Sequence, residues 1–215
     1  MPIRVKICGV NSVEAAKAAV DGGASFIGLV FYRPSPRFVT PDRAAEIAAL
    51  VPAGVGRVGL FVDAEDALIA EAVGKARLDL LQLHGAETPA RVAELKVRLG
   101  VQAMKAIRIA GPEDVSAAER YLGIADRLLF DAKPPATMTK ALPGGNALSF
   151  DWRLIAGHPW PLPWMLSGGL NATNLAEAVA TSGATVVDVS SGVEDRPGHK
   201  DPRRIAAFLE AARRL

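Results

Sequence analysis

Short apolar stretches alternate with capped, alanine-rich helical stretches eight times along this chain, and that alternation limits its fold more than any other feature. The apolar segments are Ile3 to Cys8, Phe26 to Phe31, Arg57 to Val62, Asp79 to Leu83, Val101 to Ile107, Arg127 to Asp131, Trp164 to Ser167 and Thr185 to Asp188. Each is short and rich in aliphatic residues, as buried parallel strands are. Between them lie helix signals. Asn11 is read as an N-cap with Glu14 reaching back to it, and the first helix runs over Ser12 to Asp21 until Gly22-Gly23. Thr40-Pro41 starts a helix to about Val51, Asp63 caps one to about Ala76, Thr88-Pro89 opens another, and Gly111-Pro112 precedes one ending near Leu122. Helices are also expected from about Asp151, near Asn171 and from Asp201-Pro202. Strict alternation implies a parallel sheet covered by helices, and eight copies match a closed (β/α)8 TIM barrel. The rival, an open doubly wound sheet, normally carries a Gly-x-Gly-x-x-Gly turn after its first strand, which Gly9-Val10-Asn11 lacks.

A chain of 215 residues with half of them apolar can bury a full core, so residues 1–215 are expected to form one α/β domain. The formal charge is +2 with Lys and Arg dispersed, which excludes the basic stripe of a nucleic-acid binder. No apolar run approaches the ~18 residues of a membrane span, and Met1-Pro2-Ile3-Arg4 does not read as a secretory start, so a soluble cytoplasmic protein is expected. Cys8 is the single cysteine. An intramolecular disulfide and a cysteine-based zinc cluster are therefore excluded, and no metal-ligand set is legible.

In a barrel the chemistry sits at the C-terminal ends of strands. Cys8, Gln82, Asp131 and Asp188 all lie there. A lone cysteine is often only a small core residue. Here Arg4, Lys6 and Cys8 share one face of the first strand, and a cation beside a thiol favours the thiolate that a base requires. Arg127, Leu129 and Asp131 likewise share a face. Asp131 could as well only cap the segment after its strand; if it looks into the mouth it lies about three strands from Cys8, and an acid and a base flanking a small substrate would suit metal-free proton transfer. Gly168 and Gly169 after the seventh strand, with Ser190, Ser191 and Gly192 after the eighth, match the position of barrel phosphate sites. Arg37, behind Pro34-Ser35-Pro36, is either a candidate clamp for a second anion such as a carboxylate or a solvated loop arginine. The loop from Ala132 to Phe150 is long enough to be functional or mobile.

Lys6-Ile7-Cys8-Gly9, Ser35-Pro36-Arg37, Gln82-Leu83-His84-Gly85, Asp131, Phe150-Asp151-Trp152, Ser167-Gly168-Gly169-Leu170 and Asp188-Val189-Ser190-Ser191-Gly192-Val193-Glu194 together resemble the phosphoribosylanthranilate isomerase family of tryptophan biosynthesis. The resemblance implies an Amadori rearrangement with no cofactor. It implies Asp131 as general acid at the ribose ring oxygen, Cys8 as general base at C2, and Arg37 on the anthranilate carboxylate. Gly168, Gly169, Ser190, Ser191 and Gly192 would hold the 5-phosphate, and Asp188 would line the reacting region. A phosphorylated small molecule is then the partner, with the protein a monomer or a homodimer. The chain departs from the family where Gly-Gly-Thr-Gly is usual: it has Gly144-Gly145-Asn146-Ala147, and Ala147 resists positive φ. His84 matches a family position but is assigned no catalytic role. Two other readings stand beside this one. A ribulose-phosphate 3-epimerase-like barrel would need more strand-end histidines than His84, and a silent phosphosugar-binding module would not need Cys8 and Asp131.

Overall fold

A computed structural model of the chain describes residues 2–135, 137–138 and 142–215. Ala136 and residues 139–141, part of the loop expected over Ala132 to Phe150, lie outside the described residues, as does Met1. Eight parallel strands close into a barrel in sequence order: β1 Arg4–Cys8, β2 Phe26–Val30, β3 Gly56–Phe61, β4 Leu80–Leu83, β5 Gln102–Ile109, β6 Arg127–Ala132, β7 Trp164–Leu166 and β8 Val186–Val189. The helices are α1 Val13–Asp21, α2 Pro41–Ala48, α3 Asp66–Ala76, α4 Pro89–Leu99, α5 Pro112–Ala117, α6 Leu175–Ser182 and α7 Pro202–Arg213. Among the described residues, the helical part of the unit after β6 is a 3-10 turn, Trp152–Leu154. A hairpin of β9 Glu194–Arg196 and β10 His199–Lys200 interrupts the path from β8 to α7.

The caps at Thr40, Thr88 and Asp201 hold as expected, each side chain accepting an amide of the first turn with proline following. Three helix starts differ. Ser12, not Asn11, caps α1, because Asn11 spends its side-chain amide on the Gly198 carbonyl of the hairpin. Asp63 caps no helix: it sits at φ 46°, its carboxylate accepts the Ala86 amide across the barrel rim, and α3 starts at Asp66. α6 starts at Leu175, because the side chains of Asn171 and Asn174 bond each other's backbone and hold 171–174 in turns.

Strand alternation divides the barrel into two packed layers. Val5, Ile7, Ile27, Leu29, Leu81, Leu83, Leu128, Phe130, Val187 and Val189 face the helices in one large apolar cluster. Phe26, Val58, Leu80, Met104, Ala106, Leu129, Met165 and Val186 fill the barrel interior. The guanidinium groups of Arg4 and Arg127 lie over the Phe26 ring at 4.8 and 5.9 Å and plug the N-terminal end. Above this layer the interior turns polar toward the C-terminal mouth.

Candidate active site

β1 and β8 pair in parallel with Lys6 opposite Asp188, so two inward side chains of opposite charge meet at the same height. Lys6 Nζ donates to Asp188 Oδ1 at 2.8 Å, and Ser167 Oγ donates to Asp188 Oδ2 at 3.1 Å. Lys6 is fully buried. Burial works to lower its pKa, but Asp188 and Cys8 outweigh that and the ammonium is held above its ordinary value. One strand over, Cys8 pairs with Gly28, where an added Cβ would come within 3.0 Å of both Cys8 Sγ and Lys6 Nζ. A side chain at residue 28 would displace the thiol or the amine.

Lys6 favours the Cys8 thiolate, as expected from sequence, but burial outweighs it. Burial pushes the Cys8 thiol up, Lys6 opposes this, and Asp188 adds to the rise. The carboxylate already neutralises the amine, leaving too little positive charge to offset desolvation.

Asp131 projects from β6 into the same cleft, on the strand face it shares with Arg127 and Leu129. Its Oδ1 accepts the Ala132 amide at 2.9 Å, and its Oδ2 lies 3.3 Å from His84 Nε2. His84 Nδ1 in turn lies 3.0 Å from Gln82 Nε2. An added Cβ at Gly144 would fall 2.7 Å from Asp131 Oδ2, so the glycine lets the loop after β6 fold over the acid. Ala147 in that loop takes φ 57° despite its Cβ. The expected resistance is overcome, with Asn146 bracing the turn through its amide to both the N–H and the C=O of Leu142.

Arg37 is buried, not a solvated loop arginine. Its Nε and Nη2 donate to Glu194 at 2.7 and 2.8 Å, and Nη2 also reaches the Gly145 carbonyl at 3.2 Å. The stem crosses Gly9, where a Cβ would lie 2.6 Å from Arg37 Cδ and φ is 77°. Gly9 therefore serves two needs, the turn out of β1 and the passage of this side chain.

The cleft enclosed by these groups has a volume of about 720 Å³ including its mouth. Cys8, Arg37, Asp131, Gly168, Gly169, Asp188, Ser190 and Ser191 all line it. Gly168 and Gly169 have φ 92° and 63°, and among the described residues their amides and that of Ser190 donate to no protein acceptor. Gly192 is the exception among the expected site residues: it stands behind the lining, where a Cβ would run into the Leu170 carbonyl oxygen. Sequence reasoning gave no role to Glu194, Lys200, Gly144 or Gly145. Glu194 stood in a quoted motif, whereas nothing in the local sequence marked Lys200.

The comparisons with known proteins match this geometry. A family model described as N-(5'phosphoribosyl)anthranilate (PRA) isomerase matches residues 5–211. The chain belongs to this family. Relatives named N-(5'-phosphoribosyl)anthranilate isomerase include those of Rhodospirillum centenum, 59% identical with all of both chains covered, and Paramagnetospirillum magneticum, 55% identical over 99% of this chain and 98% of that one. A crystal structure of phosphoribosyl anthranilate isomerase from Thermotoga maritima aligns at TM-score 0.85 and 35% identity, over 99% of this chain and all of that one. A second isomerase structure, in complex with reduced 1-(o-carboxyphenylamino)-1-deoxyribulose 5-phosphate, aligns at TM-score 0.85 and 34% identity with the same coverage. Family membership and the closed barrel agree with the sequence-based expectations.

Proposed function

We propose that this isomerase-family chain converts N-(5-phosphoribosyl)anthranilate to 1-(2-carboxyphenylamino)-1-deoxyribulose 5-phosphate, with Asp131 as acid and Cys8 as base. The observation that carries the assignment is one cleft lined by both groups, from β6 and β1, with Arg37 and two loops bearing uncommitted amides around them. Asp131 protonates the furanose ring oxygen, the C1–O bond breaks, and the aryl nitrogen lone pair completes a cationic Schiff base. Cys8 removes the proton from C2, and the electron pair moves to C1–C2 to neutralise the nitrogen. Ketonisation of the resulting enol then moves hydrogen to C1. The reaction is a net isomerisation, so no external electron acceptor enters.

A thiol raised by burial becomes a competent base only when positive charge arrives near it. The Schiff base supplies that charge next to C2 and stabilises the thiolate form of Cys8, which has released its proton to solvent beforehand and ends the step as the thiol carrying the C2 proton. Arg37 takes the anthranilate carboxylate on the edge of its guanidinium not held by Glu194. The amides of Gly168, Gly169 and Ser190, with the Ser191 segment, take the 5-phosphate. Gly192 contributes through close packing on Leu170, and Asp188 orients Lys6 and Ser167 beside the reacting carbons.

Adding the purified protein to N-(5-phosphoribosyl)anthranilate tests the reading: substrate fluorescence should decay enzymatically with the native chain and far more slowly with Cys8→Ala or Asp131→Asn. Undiminished decay with both variants would remove the acid and base assigned here. The same chemistry in a biosynthetic enzyme is consistent with the cytoplasm, and no helix among the described residues is long and apolar enough to cross a membrane.

A further inference from the structure

Glu194 does not line the cleft, yet two buried basic side chains converge on its carboxylate. Both of its oxygens are taken by Arg37, and Oε1 also accepts Lys200 Nζ at 2.6 Å. Lys200 continues to the Ser190 carbonyl at 3.0 Å and Ser190 Oγ at 3.2 Å, while Ser190 Oγ itself donates to the Cys8 carbonyl at 3.1 Å. All of Arg37, Glu194 and Lys200 are buried. The turn of the hairpin packs on the arginine's loop, because a Cβ at Gly198 would strike the Pro36 carbonyl. Asn11 anchors the same turn through the Gly198 carbonyl at 2.8 Å.

Two features of this cluster bear on ligand choice. One is orientation: Glu194 grips the Nε and Nη2 edge of the fork, so Nη1, which has no hydrogen-bond partner among the described residues, is the nitrogen left for a ligand. The other is charge. Two buried basic side chains share one carboxylate, so the ion-paired cluster carries one positive charge in excess at the wall of the cleft, although burial and the neighbouring Arg37 hold the Lys200 ammonium below its ordinary value. An anion in the cleft balances that excess, whereas a neutral ring leaves it uncompensated in a poorly solvated place.

We propose that Glu194 is a positioning residue that sets selectivity for a carboxylated aromatic ring, by fixing which edge of Arg37 faces the substrate. Lys200 is the second half of the device: it holds Glu194 and ties it to the loop that carries Ser190. This inference rests on the reading of Arg37 as the carboxylate clamp, and the variants below separate the two.

The test compares kcat and KM for N-(5-phosphoribosyl)anthranilate and for N-(5-phosphoribosyl)aniline, which lacks the carboxylate. In E194Q the preference for the carboxylated substrate should fall by about 10²-fold through KM, the scale on which a displaced substrate clamp is felt. The aniline substrate should change far less. Because E194Q leaves two buried cations unpaired, the double variant E194Q/K200M is the second arm: it keeps the net charge of the cluster at one positive, removes the grip, and should lose the same preference. Equal losses on both substrates, or an unchanged preference in the double variant, would overturn the proposal. R37A is the reference: if it abolishes the preference while both Glu194 variants keep it, Glu194 is excluded and the clamp stands. If R37A keeps the preference, the clamp itself fails and the inference with it.

Discussion

Cys8 and Asp131 show how much a single side chain depends on its surroundings. The thiol is buried beside a lysine whose charge is already balanced by Asp188, and its pKa rises. Alkylation of the only cysteine should therefore follow a pH profile with its midpoint above the ordinary thiol value, and Lys6→Met should move it further upward. A midpoint below the ordinary value would mean that the Lys6–Asp188 pair is open in solution. For the reaction, Cys8→Ala and Asp131→Asn are each expected to lower kcat by about 10²–10⁴, roughly 3–5 kcal/mol of transition-state stabilisation. Product affinity, measured by fluorescence titration, should change little, since the proposed phosphate and carboxylate contacts lie outside both side chains. Ala147 illustrates a residue-scale cost accepted for a loop: at φ 57° an L side chain is strained by about 1–2 kcal/mol, part of which glycine returns through unfolded-state entropy. Ala147→Gly should raise unfolding stability by about 0.5–1 kcal/mol in urea titration, and no gain would show that the turn is unstrained.

At the level of elements, the hairpin β9–β10 has the clearest link between sequence and site. It has two short strands, and it is held less by its ladder than by the Glu194–Arg37–Lys200 cluster beneath it. Burial acts to raise the Glu194 carboxyl, but Arg37 and Lys200 outweigh it and the carboxyl lies below its ordinary value. A carboxylate depressed in the folded state stabilises the protein above its unfolded pKa, and that contribution is lost as pH falls through the folded value. Stability should thus decline below the ordinary carboxylate range, and the decline should be shallower in E194Q/K200M. Identical acid sensitivity in the two proteins, by urea unfolding at pH 7 and near pH 3.5, would place the titrating groups elsewhere.

For the whole molecule, the proposed acid and base work without a Lewis acid, so turnover is expected to survive exhaustive chelation. Loss of activity with recovery on adding a divalent ion would favour an epimerase-like site instead. The eight-unit barrel was legible from sequence because strand and helix patterns are local: alternating parity, Thr-Pro caps and Gly pairs act within a few residues of themselves. The same locality put Cys8, Asp131 and Asp188 at strand ends, and barrel closure brought them together in one cleft. Local signals misled at Asn11 and Asp63, each read as a cap whose side chain instead bonds a distant partner, and near Asn171, where asparagine turns delay the helix to Leu175. What only the tertiary structure decided are the contacts across long sequence separation. Arg37 meets Glu194 across 157 residues, and Lys6 meets Asp188 across 182. Burial and the Asp188 pairing outweigh the expected effect of Lys6 on Cys8, and the Glu194 pairing turns a loop arginine into a buried, oriented one. A charge in sequence has a sign, but its burial and its partner, which determine what that sign does to a neighbour, exist only once the barrel has closed.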